Sequence, residues 1–288
     1  FFFFFSFVLF CLNLAVCGFL IFLGGFFKLL IPFKFFQELM YAPMHFFFRV
    51  WAFINFAIMS LCNDIEWQIS GDEELSKDAW YLLISNHISW LDIFIIANFT
   101  RTRIPEAKFF LKESLKKVPF IGMACWALDM PFMKRYSRSF IEKNPHLRGK
   151  DIETTKKSCE KFKNKPTSII NFIEGTRFTP KKTGNESFAH LLPPKAGGIA
   201  FTLAAMGEQF DKMLNITLCY PDNPGHVMHD LLSGKVKRVV LHVEQLDITD
   251  DLIGDYFNDE KFKVNFQTWL NNLWLEKDQL LAKFKGQA

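Results

Sequence analysis

The hydrophobic pattern divides the chain in two. Residues 1–27 contain no charged side chain, and about 20 apolar residues suffice to cross the hydrocarbon core of a bilayer. One membrane helix is predicted there. No basic segment precedes the run and no small-residue cleavage site follows Leu23-Gly24-Gly25, so it does not read as a secretory signal. A second apolar run extends from Ala42 to Cys62. His45, Arg49, Ala52 and Asn55 recur at helical spacing within it, a narrow polar stripe on a helix otherwise lined by Phe, Trp and Ile. This pattern predicts an interfacial helix with Arg49 toward the headgroups. A second crossing, or packing on the rest of the chain, also satisfies it. Lys28 and Lys34 follow the first run, which places that side in the cytoplasm by the positive-inside tendency.

From residue 65 onward strand-like and helix-like stretches alternate. Strands are expected near 80–85, 107–111, 167–173, 213–220 and 236–244, and helices near 88–98, 150–164, 195–207 and 259–284. Alternation of this kind implies an α/β domain, a mixed, mainly parallel sheet flanked by helices. Length allows one such domain over 65–288 behind an anchoring segment over 1–64.

Two places in that domain carry chemistry. In Ser85-Asn86-His87-Ile88-Ser89-Trp90-Leu91-Asp92 a His precedes an Asp by five residues. The spacing alone says little, because His146/Asp151 and His242/Asp247 repeat it. His146 lies in a polar, loop-like stretch, and His242 in a β-branched run where side chains five apart point to opposite faces. Only His87 follows a buried-looking strand and precedes an apolar helical run. On one continuous helix five residues leave the two side chains about 140° apart. His87 therefore belongs in the strand-to-helix turn, with Asp92 in the first helical turn reaching back to fix the imidazole. The plainer alternative is a turn histidine and an N-terminal helix charge. The second place is the end of the β-branched run Thr167 to Ile173, at Glu174-Gly175-Thr176-Arg177. Gly allows close backbone approach, Thr can donate, Arg can grip two oxygens of a phosphate, and Glu174 can steer Arg177. A strand-end turn with a solvated Glu/Arg pair is the alternative.

Composition narrows the class. Residues 101–182 hold 20 Lys and Arg against 8 Asp and Glu, whereas the rest holds 14 against 22. A basic stretch around a phosphate site would draw anionic lipids, a phosphorylated substrate or an acidic carrier. No stacking or helix-turn-helix motif accompanies it, so nucleic acid is not an expected partner. The six Cys show no metal spacing and read as buried, reduced thiols. No Gly-x-Ser-x-Gly elbow occurs, which disfavours a serine hydrolase.

Taken together, Asn86-His87-x-x-x-x-Asp92 and Glu174-Gly175-Thr176-Arg177 resemble the two hallmark blocks of the glycerolipid acyltransferases typified by 1-acylglycerol-3-phosphate acyltransferase. Lys112-Glu113-Ser114-Leu115 with Pro119 and Gly122, Met133-Lys134-Arg135, Lys195-Ala196-Gly197-Gly198 and Tyr220-Pro221 stand where that family has its intermediate and later motifs. The resemblance covers about residues 65–245 and is nearest to a bacterial inner-membrane subgroup. It implies a glycerol-3-phosphate acyltransferase-like fold, His87 as base with Asp92 orienting it, Asn86 shaping the turn, and Arg177, Thr176, Gly175, Glu174, Arg135, Lys134 and Lys112 around the acceptor phosphate. It further implies no cofactor and no metal. The co-substrate is acyl-CoA or acyl carrier protein, the acceptor is a lysophospholipid, and the catalytic domain faces the cytoplasm at a bacterial inner membrane. Tyr220-Pro221-Asp222 departs from the family's apolar-Pro-apolar ending and bears on the acceptor. A different lysophospholipid, such as lysophosphatidylglycerol, and a non-catalytic lipid- or partner-binding role are the competing readings.

Overall fold

In a computed structural model, residues 2–31, 33–118, 121–133, 165–179 and 187–286 are described; of Lys112, Ile121 and Met133 only the backbone is. Helix α1 (Phe2–Leu30) and helix α2 (Lys34–Cys62) form an antiparallel hairpin, each 29 residues long. The strands are β1 (Glu66–Ser70), β2 (Tyr81–Ser85), β3 (Ala107–Phe109), β4 (Leu111–Lys112), β5 (Phe132–Met133), β6 (Ser168–Phe172), β7 (Lys212–Cys219) and β8 (Arg238–Leu246). Between them lie α3 (Leu91–Arg103), α4 (Ile121–Ala127), α5 (Ala196–Met206) and α6 (Val227–Leu232), and α7 (Glu260–Gly286) ends the described chain.

Six strands form one sheet in the order β1-β8-β7-β2-β6-β3. β7, β2, β6 and β3 run parallel, β8 turns antiparallel to β7, and β1 is parallel to β8. The sheet is thus mixed and mainly parallel. β4 and β5 pair separately. β2 lies at the centre and is buried along its whole length, as expected for a strand covered on both faces. Its side chains alternate between two cores. Tyr81 and Leu83 pack with α3 and the hairpin, Leu82 and Ile84 with α5 and α7.

The expected helix near 150–164 lies outside the described residues. β1 escaped the hydrophobic pattern because it is an edge strand with most residues exposed. The hairpin is not separate from the domain. The polar stripe of α2 faces inward: His45 Nδ1 bonds Glu106 at 2.7 Å, Arg49 donates to Glu106 at 2.9 Å, and Asn55 accepts from Asn13 at 2.8 Å. Arg49 is therefore half-exposed but tied to the domain rather than directed outward as expected. α1 buries its few polar side chains together with Phe10 and Ile21. Its buried stripe includes Ser6, Asn13, Cys17 and Gly25, while Phe4, Leu12, Val16, Phe19 and Leu29 are exposed. Cys11 is exposed too, contrary to the expectation of uniformly buried thiols.

Candidate active site

β2 leads through α3 to β3 over one face of the sheet, and β6 leads through α5 to β7 over the other. His87 and Glu174 to Arg177 directly follow the carboxyl ends of these two adjacent parallel strands, the end of an α/β sheet where ligands bind.

The turn after β2 is pinned by its own side chains. Asn86 is fully buried; its amide donates to Leu218 O and its Oδ1 accepts from Leu218 N, both at 2.9 Å. This two-bond clamp ties the turn to β7 as a further strand residue would. Ser89 Oγ accepts from Leu91 N at 3.3 Å, so Ser89 is part of the turn. Asp92 is completely buried, and every bond it makes fixes its direction. Oδ2 accepts from Ile88 N at 2.6 Å and Ser89 N at 2.9 Å, and lies 2.7 Å from His87 Nδ1. Tyr220 OH donates to Oδ1 at 2.6 Å. An oxygen that already receives two amide hydrogens acts as an acceptor, so His87 Nδ1 is the donor and Nε2 keeps its lone pair. Burial, followed by Asp92, holds the Tyr220 hydroxyl well above its ordinary pKa, so it stays a donor.

The imidazole is further fixed from the side. It stacks on Phe172 with ring centres 4.1 Å apart, and His87 O accepts from Phe178 N at 2.7 Å. The second contact joins the two motif loops. Gly175 turns the chain at φ +70°, a conformation that costs Gly little, and Arg177 then emerges with its guanidinium 4.9 Å from the Trp90 ring. Both Arg177 and Trp90 are exposed.

Glu174 differs from expectation. It is 1% exposed and makes no hydrogen bond to Arg177, so it does not steer that side chain. Neither carboxylate oxygen has a well-formed hydrogen bond. Burial pushes its pKa up to about 8, opposed by the charge of Lys277 and by the less well-aligned backbone amides of His87 and Leu192. The side chain turns inward because it leaves the strand end on the face covered by α5 and α7, whereas Arg177 lies beyond the Gly175 turn.

Lys134 and Arg135 fall outside the described residues, as do His146 and most of the basic stretch. Lys112 is the last residue of β4, paired with Met133, and its side chain is not described. His242 bonds Ser70 at 2.9 Å while Asp247 meets Lys212, so that repeat of the spacing brings no pair together. Among the described residues no group of His, Cys, Asp and Glu could hold a metal ion. Sequence reasoning missed Phe172, Trp90 and the bond from Tyr220 to Asp92. The aromatic character of Phe172 and Trp90 beside the motifs was the available signal. Tyr220 lies 128 residues from Asp92 and gives no local sign.

A buried carboxylate bonded to a partly exposed imidazole beside an Arg-bearing loop is an arrangement suited to proton transfer. The Acyltransferase family model matches residues 66–218, more than half of the chain. The chain belongs to that family. It is 23% identical over 249 residues to lysocardiolipin acyltransferase 1 of Danio rerio, covering 81% of this chain and 60% of that protein. It is 34% identical over 152 residues to the 1-acyl-sn-glycerol-3-phosphate acyltransferase of Saccharomyces cerevisiae, covering 52% and 43%. The crystal structure of the 1-acyl-sn-glycerophosphate acyltransferase PlsC from Thermotoga maritima overlaps with a TM-score of 0.47 at 19% identity, covering 91% of this chain and 96% of that one. The chain spans about half the length of the curated relatives it matches. These relatives do not single out the bacterial inner-membrane subgroup.

Proposed function

We propose that this protein moves an acyl chain from the thioester of acyl-CoA or acyl carrier protein to the sn-2 hydroxyl of 1-acylglycerol-3-phosphate, giving phosphatidate. The observation that carries the reading is the His87–Asp92 pair, whose bonding through Nδ1 leaves Nε2 to act as the base. His87 Nε2 takes the hydroxyl proton as that oxygen attacks the thioester carbonyl. The imidazolium, stabilised by Asp92, then gives the proton to the departing thiolate as the tetrahedral intermediate collapses. A thioester is already activated, so no covalent enzyme intermediate is needed. Asn86 holds the turn. Arg177, presented on Trp90, with Thr176, the Gly175 turn and, in our reading, Lys112, Lys134 and Arg135, receives the acceptor phosphate. One exposed ion pair contributes only about 0 to 1 kcal/mol, so several cations are needed for a phosphate.

Residues 1–64 serve in this reading as a membrane anchor, with the α1 and α2 hairpin seated against the catalytic domain over 65–288 and Lys28 and Lys34 on the cytoplasmic side. An apolar outer surface of this extent on a helix whose polar groups face inward suits lipid rather than water.

The relatives' names extend over several lysolipid acceptors, lysocardiolipin and 1-acyl-sn-glycerol-3-phosphate among them. A panel of lysophospholipids with labelled acyl-CoA and purified protein tests the reading. Turnover highest with 1-acylglycerol-3-phosphate is expected. Preference for lysophosphatidylglycerol would replace the acceptor, and lysolipid binding with no transfer from any donor would leave a non-catalytic lipid-binding protein.

A further inference from the structure

The imidazole of His87 lies against an aromatic ring to which the proposed reaction gives no part. Phe172 ends β6, opposite Ser85 of β2 in the register, so its side chain stands beside the turn that carries His87. The two ring centres are 4.1 Å apart and the planes 21° from parallel. Phe109 of β3 backs this pair. It lies opposite Ile170, two residues before Phe172 and so on the same face of the sheet. Its ring centre is 6.4 Å from that of Phe172, at 25°. Phe109 is buried, and its amide donates to Met130 Sδ at 3.2 Å. The three rings thus form one stack with His87 at an end.

The geometry of the pair separates the two states of the imidazole. Neutral aromatic rings prefer offset or edge-to-face arrangements with centres about 4.5 to 7 Å apart, because their electron-rich faces repel. A near-parallel pair at 4.1 Å is closer than that. A cation over the same face is attracted instead, and more strongly where water is excluded. Water is largely excluded here: the His87 side chain is 15% exposed, and Phe172 is half-buried with Phe109 behind it. The ring therefore favours imidazolium over imidazole. His87 becomes imidazolium only when Nε2 accepts the hydroxyl proton, so the gain falls in the chemical step and not in substrate binding. The polar and charged groups around His87 are few. Asp92 bonds Nδ1, the Tyr220 hydroxyl bonds the other oxygen of that carboxylate, Glu174 lies buried beyond the end of β6, and the Arg177 guanidinium lies over Trp90. Asp92 meets the imidazole at its edge, whereas Phe172 meets it at its face.

We propose that Phe172 is a positioning residue for acyl transfer: its ring face holds the His87 imidazole and stabilises the imidazolium formed as Nε2 takes the acceptor's proton. It touches no substrate. The same proton leaves Nε2 for the departing thiolate, so the ring is unchanged over the cycle. The inference rests on the acyltransferase reading given above.

The test replaces Phe172 in the full chain with mono-, di- and trifluorophenylalanine, which keep the ring's shape while withdrawing charge from its face, and separately with leucine. Acyl transfer from acyl-CoA to 1-acylglycerol-3-phosphate is measured, with Tm as the check on folding. A stepwise fall in kcat is expected along the fluorinated series, reaching about tenfold for trifluorophenylalanine and for Phe172→Leu, with both KM values within about twofold of wild type. Without the ring the imidazolium forms less readily, so in Phe172→Leu the acid limb of kcat/KM against pH should move to lower pH. A ring that only filled space would leave that limb where it is. A flat kcat across the fluorinated series in folded protein, or an acid limb unmoved in Phe172→Leu, would overturn the proposal. If Phe172→Leu does not fold, the fluorinated series decides alone. Wild-type protein that acylates no lysophospholipid would defeat the acyltransferase reading instead. An NMR titration of His87 would then still decide on the ring: protonation at lower pH in the trifluorophenylalanine variant supports its effect, and identical titration refutes it.

Discussion

Asp92 carries the site at the scale of single residues. Four donors converge on one buried carboxylate, so its position and that of His87 are fixed before any substrate arrives. One of those donors, His87, was legible in the sequence, because an Asp in the first turn of a helix can reach back to an imidazole in the turn before it. The Tyr220 hydroxyl was not, since only the sheet order brings the end of β7 beside β2. Removing it leaves Oδ1 of a buried acid unmatched, a loss of about 1.5 to 3 kcal/mol for a bond to a charged group. Tyr220→Phe should therefore lower kcat about 10- to 100-fold with little change in either KM. An unchanged kcat would show that Oδ2 alone suffices.

Glu174 allows a prediction of stability against pH. Its carboxyl titrates near 4.5 in an unfolded chain and about 8 in the fold, so folding in that window takes up a proton. A raised pKa contributes stability that is present at low pH and lost as pH rises through about 8. Glu174→Gln lacks this dependence. The Tm difference, variant minus wild type, should grow between pH 5 and pH 8, and a constant difference would contradict it. The Glu174 side chain was misjudged from sequence because a motif places residues along the chain without saying which side of the strand end each one takes.

At the scale of elements, the strand-turn-helix unit of β2 and α3 was readable because an apolar run gives way to polar residues and then to a second apolar run. β1 was not readable, and for an edge strand exposed on most positions no periodicity is required. Packing on the rest of the chain was one of the placements the polar stripe of α2 allowed, whereas the seat of α1 was hidden, since a helix apolar on every face shows no hydrophobic contrast. That seat depends on close approach. A Cβ placed on Gly25 of α1 would lie 2.6 Å from Cβ of Ala127 in α4, inside any tolerable contact. Gly25→Leu should cost about 1 to 3 kcal/mol by overpacking and lower Tm by several degrees. A variant that melts with wild type would show the helices apart in solution.

For the whole molecule, the hairpin carries an apolar outer surface while its few polar side chains turn inward, an arrangement suited to anchoring at a bilayer. On α2, Leu39, Phe46 and Phe53 form one exposed stripe that contributes nothing to the core. Phe46→Glu with Phe53→Glu should reduce flotation with phospholipid vesicles markedly while leaving Tm within a few degrees. Full retention on vesicles would place the contact elsewhere. The α/β class and the order of motifs were legible across the chain, whereas the division of labour between the two sheet faces was not. The α3 side carries His87, the proposed base, and the α7 side the buried Lys277.

The central claim is that His87 is the base for acyl transfer. The most direct measurement is phosphatidate formation by purified His87→Ala protein, with acyl-CoA and 1-acylglycerol-3-phosphate at saturation. The account predicts a fall in kcat of about 10² to 10⁴, the usual worth of a positioned general base, in a protein that still floats with vesicles and melts as wild type does. Turnover within a few-fold of wild type by that folded variant would contradict it.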